Sequence, residues 1–195
     1  MTIHATLTPI RFFFNEKKAT QAAAYLLHLN KWQMSYMQLI KLLFLADRRA
    51  LIKRGQPITC ASIVSMDRGP VLSEVYSLIN GERDGATWDA MVETVPKHEV
   101  RLKDTTSPPN HDETSRFERR MLDEVFAEFG SWDQWKLVDW LHDPKNIPEW
   151  QDPHGSMIPI SFESILQAGE VPEADIEWMR EEAAVHYSLG VLFGG

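Results

Sequence analysis

The clearest hydrophobic pattern in the sequence covers about residues 36–54. The first half of this stretch is apolar almost all the way round a helix, and only Gln38 and Lys41 interrupt it. Such a pattern is typical of a helix that is enclosed by other elements. Ser35 and Gln38 have the spacing of a capping box, and Gly55 stands where helices commonly end. The sequence therefore predicts a central buried helix over this stretch.

Six further stretches carry helical spacing or helix-start signals. Asn15 is the expected cap of the first, and Gly69-Pro70 marks the start of the second because proline is favoured at the first helical position. The predicted helices cover about residues 16–29, 69–80, 113–129, 131–142, 162–168 and 172–189.

Strand patterns are few and short. Residues 63–66 form one candidate strand, while residues 91–95 and 99–102 flank a Pro-Lys-His segment and could pair as a small hairpin. Residues 104–112 are rich in Thr, Ser and Pro and are expected to join two lobes of one domain. We therefore predict a mainly α fold, a compact single-domain helical bundle around the central helix with at most a small β-hairpin, over residues 1–195.

Charge is distributed unevenly along the chain. The net charge is −8, yet residues 1–55 carry nine Lys and Arg against two Asp and Glu, whereas the remaining residues carry eleven against twenty-six. This asymmetry favours internal pairing between a basic first part and acidic later helices; a partner that docks on one side is the alternative. The acidic balance argues against a protein built to bind nucleic acid.

The sequence predicts a cytoplasmic protein without a membrane partner. No apolar run approaches the roughly 18 residues that a spanning helix needs, and residues 1–14 lack the pattern of a secretory signal. The single cysteine, Cys60, excludes a disulfide within the chain and any zinc site made of several cysteines.

Standard catalytic signatures are missing from the sequence, including phosphate-binding glycine loops, the H-E-x-x-H metal motif and the G-x-S-x-G nucleophile turn. His142 and His154, with Asp143 and Asp152 nearby, form the one candidate metal cluster, but their spacing matches no established motif. We therefore predict no metal and no cofactor, and we expect the protein not to be an enzyme.

Asp47 stands out within the central helix. It lies seven residues after Ile40 and three after Phe44, so it shares a face with apolar side chains and is expected to be partly buried. A buried carboxylate needs hydrogen-bond donors, because leaving it unpaired costs several kcal/mol. Asp47 is therefore expected to anchor a loop or to pair with an Arg or His, and a functional contact is the alternative.

Four motifs in a fixed order resemble those of the Panacea domain, found in SocA-like and phage-associated GepA-like proteins. Residues 41–47 read K-L-L-F-L-A-D and resemble its K-L-L-Y-L-A-D helix, and residues 56–59 read Q-P-I-T and resemble its G-x-P-I-T loop. Residues 69–71, G-P-V, resemble the start of a helix in that family. Leu141-His142, followed by Pro148 and Trp150, resembles the later T-H…P-W stretch.

The resemblance extends over about residues 14–168, with a C-terminal helix at about 172–189. The sequence departs from the family pattern at Phe44, Cys60 and Leu141, where tyrosine, glycine and threonine are common. These departures argue against a catalytic role and against a role that depends on a hydroxyl group at these positions.

The resemblance implies a mostly helical antitoxin that neutralises a protein toxin encoded beside it by direct contact. One branch of the family resembles an adaptor that delivers its toxin to an ATP-dependent protease, which gives a second possibility. A small metal-dependent hydrolase that uses His142, Asp47 and His154 is the alternative from another class.

The site residues fall into two groups. Interfaces are often anchored by aromatic residues and arginine, so the candidate contacts with a partner are Arg48, Arg49, Tyr76 and Trp150. The residues of the family motifs are expected to be structural, and they are Lys41, Asp47, Gly69, Pro70, Val71, His142, Pro148 and Trp150.

Overall fold

The computed structural model describes residues 8–193, and within this range eight helices are combined with two small sheets. The helices are α1 (Glu16–Leu29), α2 (Tyr36–Arg54), α3 (Ser73–Asn80), α4 (Ala86–Met91), α5 (Arg116–Phe129), α6 (Gln134–His142), α7 (Phe162–Ala168) and α8 (Glu173–Phe193). The strands are β1 (Gln33–Ser35), β2 (Ile63–Met66), β3 (Gly69–Leu72), β4 (Val92–Val95), β5 (Glu99–Leu102) and β6 (Ile158–Ile160).

The strands form two three-stranded antiparallel sheets, with the orders β1-β5-β4 and β3-β2-β6. The prediction of a helical bundle is therefore wrong, and the fold is mixed α/β. The hairpin of residues 92–95 and 99–102 is present, but β1 adds a third strand through the pair Gln33–Arg101. Strands of three or four residues are too short for alternation to show, and β1 and β6 pair with strands that lie far away in the sequence.

The predicted helix start at Gly69-Pro70 is also wrong. Residues 69–72 form β3, which pairs with β2, and α3 begins only at Ser73. Pro70 has no N–H to donate, but β3 is an edge strand, a position where proline is tolerated.

The central helix α2 is confirmed at its predicted bounds. It packs against α1, α5, α6, α7 and β3, and its apolar side chains from Leu39 to Leu45 are buried. The predicted capping box is absent, because the Ser35 side chain does not cap the helix. Gln38 instead donates to the carbonyls of Gly130 (3.0 Å) and Trp132 (2.9 Å), which ties the start of α2 to the connection between α5 and α6.

The basic first part of the chain pairs with acidic residues that come later, as the charge asymmetry predicts. Two of these pairs fasten α1 to α5 and to the segment just before it. The other three fasten the second half of α2 to α5 and to the loop after α6. The pairs are Lys17–Glu113, Lys18–Glu118, Arg48–Glu149, Arg49–Glu128 and Lys53–Glu124. None of the helices in the described range is long and apolar enough to cross a membrane.

Candidate functional site

Asp47 on α2 holds the loop that follows the helix. Its side chain is fully buried, and Oδ1 accepts hydrogen bonds from the backbone N–H groups of Ile58 (3.1 Å) and Thr59 (3.0 Å). The Thr59 hydroxyl donates to Oδ2. Burial raises the pKa of Asp47 to about 7, although these donors favour the ionised form and oppose the shift. The prediction that Asp47 anchors a loop is thus confirmed.

Lys41 lies elsewhere on the same helix. It stands six residues before Asp47, which places the two side chains about 120° apart around the helix axis and about 9 Å apart along it. The Lys41 side chain is buried, and Nζ donates to the carbonyl of Pro70 at 2.8 Å. Burial, followed by the charge of Arg68, lowers the pKa of Lys41 to about 7.

Gly69 brings the K-L-L-F-L-A-D helix, the G-P-V strand and α6 to one point. Its φ is +91°, and a Cβ there would lie 3.5 Å from Lys41 Nζ and 3.7 Å from His142 Cδ2. Glycine fits this position because its backbone angle is costly for residues with a side chain. Lys41 and His142 therefore approach each other across Gly69.

His142 completes this cluster from the end of α6. Its ring stacks on Trp150 with a centroid distance of 4.3 Å and an interplanar angle of 20°, and the Trp150 indole donates to the carbonyl of Met66 at 3.3 Å. The buried Nε2 of His142 has no hydrogen-bond partner within residues 8–193. Burial, and then the charge of Lys41, lowers the pKa of His142, which keeps the ring neutral near pH 7.

A cleft of about 470 Å³ opens beside this cluster. The start of α2, the β2–β3 hairpin, α3 and residues 155–157 form its walls. It combines apolar side chains, two tyrosines and three charged groups. Its lining is Tyr36, Met37, Ile40, Lys41, Met66, Asp67, Arg68, Val71, Tyr76, Gly155, Ser156 and Met157.

The family model described as "Antitoxin SocA-like, Panacea domain" matches residues 39–151, which is more than half of the chain. The chain belongs to the Panacea-domain family. The match contains all four sequence motifs, so the resemblance is confirmed. No curated protein and no solved structure matches the chain. Membership supports an antitoxin role in general terms and suggests a protein that is not an enzyme.

The family motifs of this Panacea domain have separate structural surroundings. Lys41 and Val71 line the cleft, Gly69 and His142 lie beside Lys41, and Trp150 stacks on His142. The Q-P-I-T loop is bound by Asp47 on another face of α2. Pro148 lies beside a different surface depression.

The four candidate contact residues are not brought together. Tyr76 lines the cleft, and Trp150 supports it from behind. Arg48 makes a two-point ion pair with Glu149, whose side chain is fully buried, through Nε–Oε1 at 2.6 Å and Nη2–Oε2 at 3.2 Å. Arg49 pairs with Glu128.

The residues named for a hydrolase do not share a site either. Asp47 binds its loop, His142 lies beside Lys41, and His154 is largely exposed with Nδ1 3.5 Å from Asp152 Oδ1. Within the part of the chain that the structure describes, no three His, Cys, Asp or Glu side chains are placed to hold a metal ion.

Several residues of the cleft carry no signal that sequence reasoning could have used. Arg68 follows Asp67 in the two-residue turn between β2 and β3. The sequence pattern predicts a helix start at Gly69 and therefore gives no sign of this turn. Tyr36 looks like one more apolar residue at the start of a buried helix. Met157 comes from a proline-rich loop and is 65% exposed. Only the folded chain brings these three residues to one opening.

Proposed function

We propose that this Panacea domain neutralises a protein toxin encoded beside it by binding the toxin directly in the cytoplasm, with the cleft next to Lys41 as the centre of the contact surface. The observation that carries the proposal is that Lys41 and Val71 of the family motifs line a cleft, with Gly69 and His142 beside Lys41, and that the rim of this cleft presents interface-type side chains. Tyr36 and Tyr76 are partly exposed there, with ring centroids 6.5 Å apart.

The composition of this surface fits a protein partner. Aromatic residues, methionine and arginine are enriched in the cores of interfaces. Next to the cleft, the guanidinium of Arg68 lies 5.5 Å from the ring centroid of Trp135, which is 53% exposed. Met157 adds an exposed, flexible apolar side chain on the opposite wall. An interface of ordinary size, about 800 Å² per partner, would cover the cleft and these neighbours.

Arg48 and Arg49 take a smaller part in this proposal than the sequence suggested, because both guanidinium groups already pair within the chain. Their ion pairs hold α2 to its neighbours, and the partner would meet the other end of the helix. Trp150 acts through the position of Met66 and His142 rather than by contact with the toxin.

The first test is affinity purification of the tagged chain from its native cell, with mass spectrometry of the copurifying proteins. We expect a small protein in stoichiometric amount, encoded next to the chain, whose expression alone stops growth. Co-expression of the chain should restore growth. A neighbouring protein that neither binds the chain nor is neutralised by it would end the proposal.

Two matched variants test whether the interface with the toxin lies at the cleft. Tyr76→Ala should weaken the complex at least about tenfold, as expected for an interface aromatic. Trp178→Ala removes an exposed aromatic from α8, outside the cleft, and should leave affinity within about twofold. Equal effects of the two variants would move the interface away from the cleft.

The half-life of the toxin distinguishes two mechanisms, inhibition of the toxin by binding alone, which we call blockade, and delivery of the toxin to a protease. We propose blockade, so the toxin level should stay constant while growth is restored. Faster loss of the toxin, dependent on both the chain and an ATP-dependent protease, would replace blockade by the adaptor mechanism.

A further inference from the structure

Lys41 is the buried cation that the fold leaves without a carboxylate. Among the described residues, no Asp or Glu oxygen comes within 4.0 Å of its Nζ, although Arg180, the other buried cation, pairs with both Glu163 and Glu177. An ammonium group has three N–H donors, and the carbonyl of Pro70 takes one of them. Burying a charge in this way is costly unless a partner compensates it.

The charges around the cleft leave room for one more negative group. Lys41 lies in its floor and Arg68 at its mouth, and Arg68 has no ion pair within the described part of the chain. Asp67 is the single carboxylate in the lining, and its Oδ1 is already engaged with the backbone N–H of Gly155 at 2.9 Å. Two cations and one anion give a surplus of one positive charge.

The remaining lining residues indicate which kind of chemical group brings this negative charge into the cleft. The buried side chains of Met37, Ile40 and Val71, with the partly buried Met66, make the deeper part apolar. An apolar wall suits the aliphatic stem of an acidic side chain, and a surplus of one charge suits a carboxylate better than a doubly charged phosphate. Lys41 and Arg68 together offer N–H donors to both carboxylate oxygens.

We propose that the partner inserts one acidic side chain, Glu or Asp, into this cleft and that its carboxylate pairs with Lys41 and Arg68. This inference rests on the proposed function, since it names the chemical group by which the toxin is recognised. The pairing would neutralise the buried ammonium and would also exclude water from it, so the acidic side chain would be a main determinant of affinity.

The proposal has a consequence for the pH dependence of binding. A carboxylate beside Lys41 favours its charged form, so binding takes up a proton above pH 7, where free Lys41 loses its charge. Affinity should therefore fall as pH rises from about 7 to 9. The other titratable or charged groups near the ammonium are Arg68 and Asp67 in the turn between β2 and β3, Tyr36 on α2, Tyr76 on α3 and His142 on α6. Burial lowers the pKa of His142, so its ring stays neutral over this interval.

The experiment measures the dissociation constant of the intact complex with purified toxin for three variants. Lys41→Met removes the ammonium group but keeps an unbranched apolar stem, and it should weaken binding at least about thirtyfold. Arg68→Gln, at an exposed position, should weaken it about three- to tenfold. Lys53→Met is the matched control on an exposed part of α2 and should leave binding within about twofold.

The partner's residue is found by changing each acidic residue of the toxin to its amide in turn. One Glu→Gln or Asp→Asn variant of the toxin should bind the wild-type chain as weakly as the Lys41→Met chain binds wild-type toxin. Combining the two variants should weaken the complex little further. In addition, the pH dependence between 7 and 9 should disappear in the Lys41→Met complex.

The outcomes separate this inference from the proposed function. If the wild-type chain binds no toxin, the proposed function fails. If the wild-type chain binds and a folded Lys41→Met variant binds equally well, only the acidic-side-chain proposal is overturned. Should Lys41→Met not fold, then an unchanged affinity of Arg68→Gln together with a flat pH profile of the wild-type complex overturns it. Displacement of the toxin by inorganic phosphate but not by acetate at equal ionic strength would point to a phosphate ligand instead and contradict it.

Discussion

Replacement of Asp47 by alanine should destabilise the protein, by an amount that depends strongly on pH. The substitution leaves the N–H groups of Ile58 and Thr59 without their acceptor in a buried place. Each unsatisfied donor costs about 1–3 kcal/mol, so the two together cost about 2–6 kcal/mol. The substitution also removes a carboxyl group that is difficult to ionise when buried, and this part stabilises the variant.

The second contribution follows from the pKa of Asp47, which folding raises from 3.8 to about 7. A raised pKa means that the folded state holds a proton that the unfolded state has released, so wild-type stability falls as pH rises from about 4 to about 7. The total fall is roughly 4 kcal/mol, at 1.36 kcal/mol for each pKa unit. At about pH 4.5 only roughly 1 kcal/mol of this fall has occurred, and the alanine variant is then less stable than wild type by about 1–5 kcal/mol.

The assay is urea unfolding followed by circular dichroism at pH 4.5 and at pH 8, on either side of the isoelectric point near 5.4. Lys53→Ala is the control, because the exposed pair Lys53–Glu124 contributes at most about 1 kcal/mol. At pH 4.5, Asp47→Ala should lose clearly more stability than Lys53→Ala. At pH 8 the deficit should shrink by roughly 3 kcal/mol, while the control stays nearly constant.

Asp47→Asn separates the two contributions, since the amide keeps the shape and one acceptor but does not titrate. Its stability relative to wild type should rise between pH 4.5 and 8. Equal unfolding midpoints for Asp47→Ala and Lys53→Ala at pH 4.5 would refute the role of Asp47 as a loop anchor. A deficit that does not change with pH would refute the raised pKa.

Three further predictions follow from the same structure. Lys41→Met should raise the free energy of unfolding by about 1–3 kcal/mol at pH 7, since a buried charge is replaced by an apolar side chain. Thermal melts should show this gain shrinking as pH rises from 7 towards 10, because folded Lys41 has then lost its proton while the unfolded chain still holds it, so wild-type stability rises. A lower melting temperature of the variant at pH 7 would contradict the prediction. Arg48→Met should lower the free energy of unfolding by about 3 kcal/mol, measured in urea, because it leaves the Glu149 carboxylate buried and unpaired. Adding Glu149→Gln should recover part of that loss. An unchanged unfolding midpoint of Arg48→Met would show that the pair is dispensable. Gly69→Ala should cost about 1–2 kcal/mol because of its positive φ, and equal melting temperatures for variant and wild type would show that the turn adapts.

The sequence was most informative where a pattern is long. The stretch that forms α2 has enough turns for its apolar face to be recognised, and the burial of Asp47 follows from its place on that face. The internal pairing of basic and acidic residues could also be predicted, because it depends on charge totals rather than on exact positions.

The sheets and the cleft could not be predicted in this way. A Gly-Pro pair fits both the start of a helix and the start of an edge strand, and only the pairing with β2 decides between them. The position of Lys41 facing Pro70 and Arg68 depends on that same hairpin. A sequence interpretation that assigns residues 69–72 to a helix contains no hairpin, and without the hairpin nothing in the local sequence places Arg68 at the mouth of the cleft.

The walls of the cleft come from three separate parts of the chain, residues 36–41, 66–76 and 155–157. A ribosome that has not yet passed residue 157 holds a chain with no such surface, even though α2 is already synthesised. Under the proposed function, the capacity to restrain a toxin would therefore appear late in translation and would vanish with unfolding. In a cell, the concentration of intact chains, rather than the total amount made, would set how much toxin is held in check.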